Sequence, residues 1–214
     1  MSTQAKDPGF ARLVWSDYRA HHSDRAERLL RAVLLWPPRL FFNPSLQLAL
    51  LVRIAQRSPG FLRLPIRWVQ VVFFSSEIYW FQGNDERIRI GPGINFPHPM
   101  NIIIGPGSKI GSNVTIYNNF SMGTDQAGPP EEVWKRAARI EDGAVIFPYC
   151  SVQGPRTVGR EAVVAKWVEI DEDVPAGALK TSSRLLLKDE WDRSRIWPTI
   201  SEAPELAASQ RIRE

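Results

Sequence analysis

Between Ile90 and Gly123 apolar residues recur at an interval of six. Ile104, Ile110, Ile116 and Met122 keep that spacing, and Gly105, Gly111 and Gly123 directly follow three of them. An amphipathic helix needs apolar residues three and four apart and a half-buried strand needs them two apart, so a strict six satisfies neither. Each hexad therefore reads as one short strand plus a corner. The large apolar residue points inward, a small residue four positions on (Ser108, Val114) fits the next inward place, and glycine or asparagine makes the bend. Three such faces close one coil, and a coil buries its inner side only by stacking on another at the strand spacing of about 4.8 Å.

The period returns after an interruption. Ile140, Ile146, Val152, Val158, Val164 and Ile170 hold register, with Ala144, Cys150, Ala162, Val168 and Val174 at the matching small positions. The reading is a parallel β-helix. A sandwich of short strands would instead require alternation and hairpin turns such as Asn-Gly, and the segment has neither. The interruption, TDQAGPPEEVWKRAAR over residues 124–139, carries a Gly-Pro-Pro turn and a short helical pattern around Val133 and Trp134. The chain thus divides into a helical region over 1–76, the repeat over 77–180, and an extension and tail over 181–214.

Charge is unevenly distributed. Residues 1 to 75 hold eleven Lys/Arg against four Asp/Glu, an excess of +7, while the remainder is −3, giving the net +4. FARLVWSDYRAHHSDRAERLLRAVLL and SLQLALLVRIAQR read as helices with apolar faces, the second capped at Asn43-Pro44-Ser45, and FLRLPIRWVQVVFF reads as a helix broken at Pro65. Two roles suit such basic, aromatic segments: covering the open end of the β-helix, or lying on an anionic membrane surface. Nucleic acid is a poor match, because the basic residues alternate with large aliphatics and no binding motif is present. MSTQAKDPGF lacks the charged-then-apolar pattern of a signal peptide, and no apolar run has the length of a membrane span. A lone cysteine, Cys150, at a small inward position reads as a buried hydrophobe, which fits a reducing cytoplasm.

His98 is the residue with chemistry. It sits between Pro97 and Pro99, where the hexad register slips by two residues before Ile104 restores it, and departures from a repeat are where functional side chains collect. Imidazole has the unperturbed pKa suited to taking a hydroxyl proton near neutrality. The plain alternative is a histidine hydrogen-bonded in a turn. His21 and His22 lie among charged helical neighbours and read as solvated.

The run GINFPHPMNIIIGPGSKIGSNVTIYNNFSMG, with RIEDGAVIFPYCSVQGPRTVGREAVVAKWVEIDEDVP, resembles the hexapeptide-repeat acyltransferases. Among them it is similar to serine O-acetyltransferases and to acetyltransferases of bacterial capsule and exopolysaccharide pathways. The resemblance implies a left-handed β-helix, a homotrimer, acetyl-CoA as co-substrate, active sites between neighbouring subunits, and His98 as general base. It also implies a carboxylate about one coil earlier that orients the imidazole, for which Asp85 is preferred over Glu86 and Glu77.

For CoA, which lies in a groove between adjacent β-helices in that family, Gly154 and Ala165 keep the small-residue pattern. Lys166 and Trp167 replace small residues, and Ala178-Leu179-Lys180-Thr181 stands where Gly-Val-Pro-Ala-Lys is usual. Either the altered groove takes CoA with Trp167 stacking on pantetheine or adenine and Lys166 or Lys180 meeting a phosphate, the favoured reading, or it has lost CoA. A corner N–H near Gly123 serves the oxyanion, Trp134 and Lys135 of the excursion close over the cleft, and Asn95, Asn101, Asn119 and Trp134 are the candidate acceptor contacts.

Two features of the serine enzymes are missing: aspartate before the histidine, replaced by Pro97, and a second histidine in the loop, replaced by Ala137. These point to an O-acetyltransferase acting on a sugar hydroxyl, free or lipid-linked, at the inner face of the cytoplasmic membrane. Serine or amino-sugar acetylation is the alternative within the class, and a non-catalytic β-helix scaffold the alternative outside it. A zinc enzyme of this fold needs three histidine ligands, whereas the repeat has only His98, so no metal is expected.

Overall fold

A computed structural model describes residues 9–21, 42–78, 88–125, 134–182 and 185–190. The hexads form a three-sided prism. Its first face stacks β1 (Glu77–Ile78), β3 (Ile102–Ile104), β6 (Phe120–Met122), β9 (Ser151–Val152) and β12 (Glu169–Ile170). The second face stacks β2 (Arg89–Ile90), β4 (Lys109–Ile110), β7 (Arg139–Ile140) and β10 (Thr157–Val158). The third stacks β5 (Thr115–Ile116), β8 (Val145–Ile146), β11 (Val163–Val164) and β13 (Leu179–Lys180). All these pairings are parallel; β14 (Leu185–Leu186) then turns back antiparallel on β13 and ends the stack, so the extension after the repeat begins as a strand.

Register makes the inward columns continuous. Ile104, Met122, Val152 and Ile170 align on the first face, Ile90, Ile110, Ile140 and Val158 on the second, and Ile116, Ile146 and Val164 on the third, all buried. Each such side chain contributes about 1.5–3 kcal/mol when fully buried, so unbroken columns are the main stabilising element. The third column ends on Lys180, in register with Val164. Its stem covers the last coil while its ammonium reaches Glu172 at 2.6 Å and Asp171 at 3.4 Å.

The open end at coil one is closed by helices α1 (Phe10–His21), α2 (Pro44–Arg57) and α3 (Gly60–Phe74). Asn43 caps α2, its side chain accepting from the N–H groups of Ser45 and Leu46. Leu48, Ala49, Val52 and Ala55 of α2 join the same core as Ile78, Ile94 and Phe96. Apolar cover alone would leave the terminal coil's backbone unpaired, and a buried ion pair supplies the missing partners. Arg53 donates to Asp17 at 2.6 and 2.8 Å, to the Ile90 carbonyl at 2.7 Å and to the Gly91 carbonyl at 2.5 Å. Asp17 in turn accepts from the N–H groups of Gly93 and Ile94 at 2.9 and 3.0 Å. The capping role expected of the helical region is therefore filled by α1 and α2.

One expectation is corrected. Pro65 does not break α3, which runs through it from Gly60 to Phe74. Pro65 has no N–H to donate to the Phe61 carbonyl one turn back, and the helix continues with that one bond absent.

Candidate active site

His98 lies at the edge where the third face turns into the first. Six residues separate the inward Ile90 and Phe96, but eight separate Phe96 and Ile104, and the extra two lengthen this corner so that His98 projects into solvent. Both α2 and α3 hold the corner. The Ser45 hydroxyl donates to the Pro97 carbonyl at 3.1 Å, the N–H of Asn101 donates to the Phe74 carbonyl at 3.1 Å, and within the corner the N–H of Met100 donates to the His98 carbonyl at 2.8 Å. Pro99 is buried behind it. The imidazole is thus exposed on a backbone fixed from both sides, as a general base must be.

The same edge recurs in every later coil. Asn101, Asn119, Tyr149 and Trp167 occupy equivalent corner positions with φ of 54, 54, 62 and 65°. Asparagine tolerates that left-handed geometry; tyrosine and tryptophan do so at a cost of roughly 1–2 kcal/mol. Stacking offsets part of this, since the Tyr149 and Trp167 rings lie 3.9 Å apart and 8° from parallel. The Asn101 side-chain amide donates to Asn119 Oδ1 at 2.8 Å. Beside them, Tyr117 stacks on Phe147 at 5.2 Å and stands 6.0 Å from the His98 ring. Burial pushes the Tyr117 hydroxyl above its usual value, so it stays a neutral donor and acceptor next to the imidazole.

Tyr117 is a site residue that the sequence reading missed. The available signal was an aromatic directly after an inward isoleucine in two successive coils, Ile116-Tyr117 and Ile146-Phe147.

This edge brings together His98, Asn101, Asn119, Ala165, Lys166 and Trp167. Asn95 is close by in the fold, half-buried on the third face and bridged to Thr115. Gly123 and Gly154 are not there. They sit at the edge between the first and second faces, at the base of the excursion, whose described part includes the 3-10 turn Trp134–Arg136. Gly154 has φ 73°, and a Cβ on it would come within 2.7 Å of Asp125, which is held by Arg136 at 2.7 Å. Its smallness seats the excursion. Lys135 is exposed on this second edge; the side chain of Trp134 is outside the described residues.

Three assignments change. The Gly123 N–H donates to the Val152 carbonyl at 3.2 Å, so it is spent in the ladder and does not serve an oxyanion. Lys180 is already neutralised by Glu172 and Asp171, the Glu172 bond foremost in holding its ammonium above the ordinary lysine value, and among the described residues Lys166 is the exposed cation of the His98 edge. Glu77 is engaged by Arg67. Asp85 and Glu86 lie outside the described residues. Among the described residues no group of three His, Cys, Asp or Glu could hold a metal ion.

Three faces of stacked short parallel strands fit a left-handed parallel β-helix, the fold of the hexapeptide-repeat acyltransferases that the sequence resembles. Within that class it is similar to serine acetyltransferases. It is 36% identical over 87 residues to the serine acetyltransferase of Bacillus licheniformis, a match covering 41% of this chain and 38% of the relative. The Bacillus subtilis enzyme is 33% identical over 86 residues, covering 40% and 38%. The chain therefore spans well under half the length of these curated relatives. Soybean serine acetyltransferase superposes with a TM-score of 0.62 at 22% identity, covering 84% of this chain and 70% of that one. A serine acetyltransferase in complex with cysteine gives 0.65 at 20% identity, covering 88% and 70%. No family model matches the chain.

Proposed function

We propose that the chain is an acetyl-CoA-dependent O-acetyltransferase with His98 as general base. The observation that carries this is the exposed His98 imidazole, on a corner whose backbone is held by Ser45 and Phe74, on the β-helix that the chain shares with serine acetyltransferases. In the reaction the imidazole accepts the acceptor's hydroxyl proton as that oxygen attacks the thioester carbonyl. The tetrahedral adduct then collapses, the C–S bond breaks, and the imidazolium returns the proton to the departing CoA thiolate. Trp167, Ala165 and Lys166 lie further along the same edge, an apolar surface followed by a cation, which suits pantetheine and phosphate.

The acceptor that the relatives favour is L-serine, and this replaces the sugar hydroxyl as first reading. The sugar remains the second reading on a specific observation: Pro97 precedes the base, and Ala137, buried at the foot of the excursion, stands where a second histidine is expected. The His98 edge and the excursion occupy two different edges of one chain. A trimer that sets the excursion edge of one copy against the His98 edge of the next would complete the cleft and exclude water from the thioester.

Thiol release from acetyl-CoA, measured with L-serine, nucleotide-sugars and polysaccharide oligomers in turn, tests the proposal. Fastest turnover with serine supports the first reading, and fastest turnover with a saccharide moves the acceptor to the second. No thiol release with any acceptor, together with no acetyl-CoA binding by calorimetry, overturns catalysis and leaves a β-helix scaffold.

A further inference from the structure

Helix α3 is turned inside out. Its polar residues face the protein: Arg63 and Gln70 are buried, with Arg63 donating to the Ser58 carbonyl at 3.1 Å, and Arg67 is drawn in to Glu77. Every exposed residue from Phe61 to Phe73 is apolar, and the large ones are far out in solvent: Phe61 at 74%, Leu64 at 61%, Trp68 at 64% and Phe73 at 71% exposed. At about 100° per residue, these positions span roughly 200° of the helix surface without a charge.

The arrangement works against the stability of an isolated chain. Gln70 is fully buried and neither its amide N–H nor its carbonyl has a partner, which is destabilising. Rotating the helix about its axis would hydrate Gln70 and bury Trp68, yet the fold keeps the apolar side outward. No described residue covers it, and an apolar face of this size marks an interaction site.

We infer that this face docks on an anionic lipid surface. Charge selects that occupant. Among the described residues from 9 to 76 the exposed charges are Arg12, Arg19 and Arg57, all cationic, and the one carboxylate, Asp17, is buried against Arg53. A helical region whose exposed charges are all cationic among the described residues, carrying an apolar helix with a central tryptophan, is complementary to anionic headgroups over acyl chains. A second copy of the chain would bring its own cations against these. A packed helix also covers a stripe of about 100°, half of the arc that is open here, whereas a bilayer covers an arc of any width. No helix of the described residues is long and apolar enough to cross a membrane, so α3 lies on the surface.

Vesicle flotation of the full chain tests this independently of the catalytic reading. With phosphatidylglycerol-containing vesicles at low salt the wild-type protein rises with the lipid, less so with pure phosphatidylcholine. The double variant Phe61→Glu, Trp68→Glu, altered only at exposed positions, is expected to partition about tenfold less while keeping its melting temperature and its thiol-release rate on a soluble acceptor. Should the double variant unfold, Trp68→Gln gives the same comparison. Wild-type protein left at the bottom with anionic vesicles overturns the inference, as does a folded variant that floats undiminished. A variant that instead sediments as a smaller oligomer shows that the face meets another copy, and also overturns it.

Discussion

Cys150 and His98 sit on the same edge of the prism with opposite chemistry. The thiol is buried, with Sγ 3.0 Å from the Ala165 carbonyl, and burial pushes its pKa up to about 11 from an ordinary 9.0. A thiol that stays protonated at neutral pH is neither nucleophile nor redox sensor. Linkage fixes the sign of its effect on stability. Between pH 9.0 and about 11 the unfolded chain ionises while the folded one does not, so the contribution is whole below pH 9.0 and is lost as pH rises toward 11. Iodoacetamide at pH 8 should therefore label Cys150 only after the chain is unfolded; rapid labelling of the native protein would contradict the burial. Cys150→Ala should leave turnover almost unchanged, while His98→Ala lowers kcat by about 10²–10⁴-fold with little change in acetyl-CoA affinity. A burst of acetyl-enzyme in pre-steady-state kinetics would rule out direct transfer.

At the scale of elements, the helical cap and the second face behave differently. Arg53 and Asp17 are both buried, and between them they satisfy backbone groups of the first coil. Removing one partner leaves a buried charge alone, so Asp17→Asn or Arg53→Met should each lower unfolding free energy by about 3–5 kcal/mol in urea titrations. A loss under about 1 kcal/mol would mean that water replaces the pair. On the second face Arg89, Lys109 and Arg139 stand in register on successive strands. Burial first, then Arg139 and Arg89, press the Lys109 amine below its usual value. Like charges opposite one another destabilise a sheet, so Lys109→Glu should raise stability by about 0.2–1 kcal/mol. An unchanged or lowered melting temperature would show that the column already has an anionic partner.

For the whole molecule, the proposed cleft between the His98 edge of one copy and the excursion edge of the next would make the oligomer a condition of catalysis. Sedimentation equilibrium should give three times the mass of one chain, and dilution that dissociates the trimer should abolish thiol release in step. Activity retained by a monomer would place the complete site within one chain.

The hexad register was legible from residue types alone, because inward places admit only large apolar or small side chains and that demand repeats locally, six residues at a time. It predicted the buried columns, the two-residue departure from register at His98 and the buried Cys150. The helix cap at Asn43 was equally local. What the sequence left open involves partners brought together by the coil rather than by adjacency: Lys180 with Glu172 and Asp171 at the last coil, the Gly123 N–H with Val152 one coil on, and Tyr117 beside His98. Apolar periodicity shows that a helix has two sides but not which side the rest of the molecule will take. For α2 the apolar side went to the core; for α3 packing against the first coil took the polar side, and only the tertiary structure could decide that.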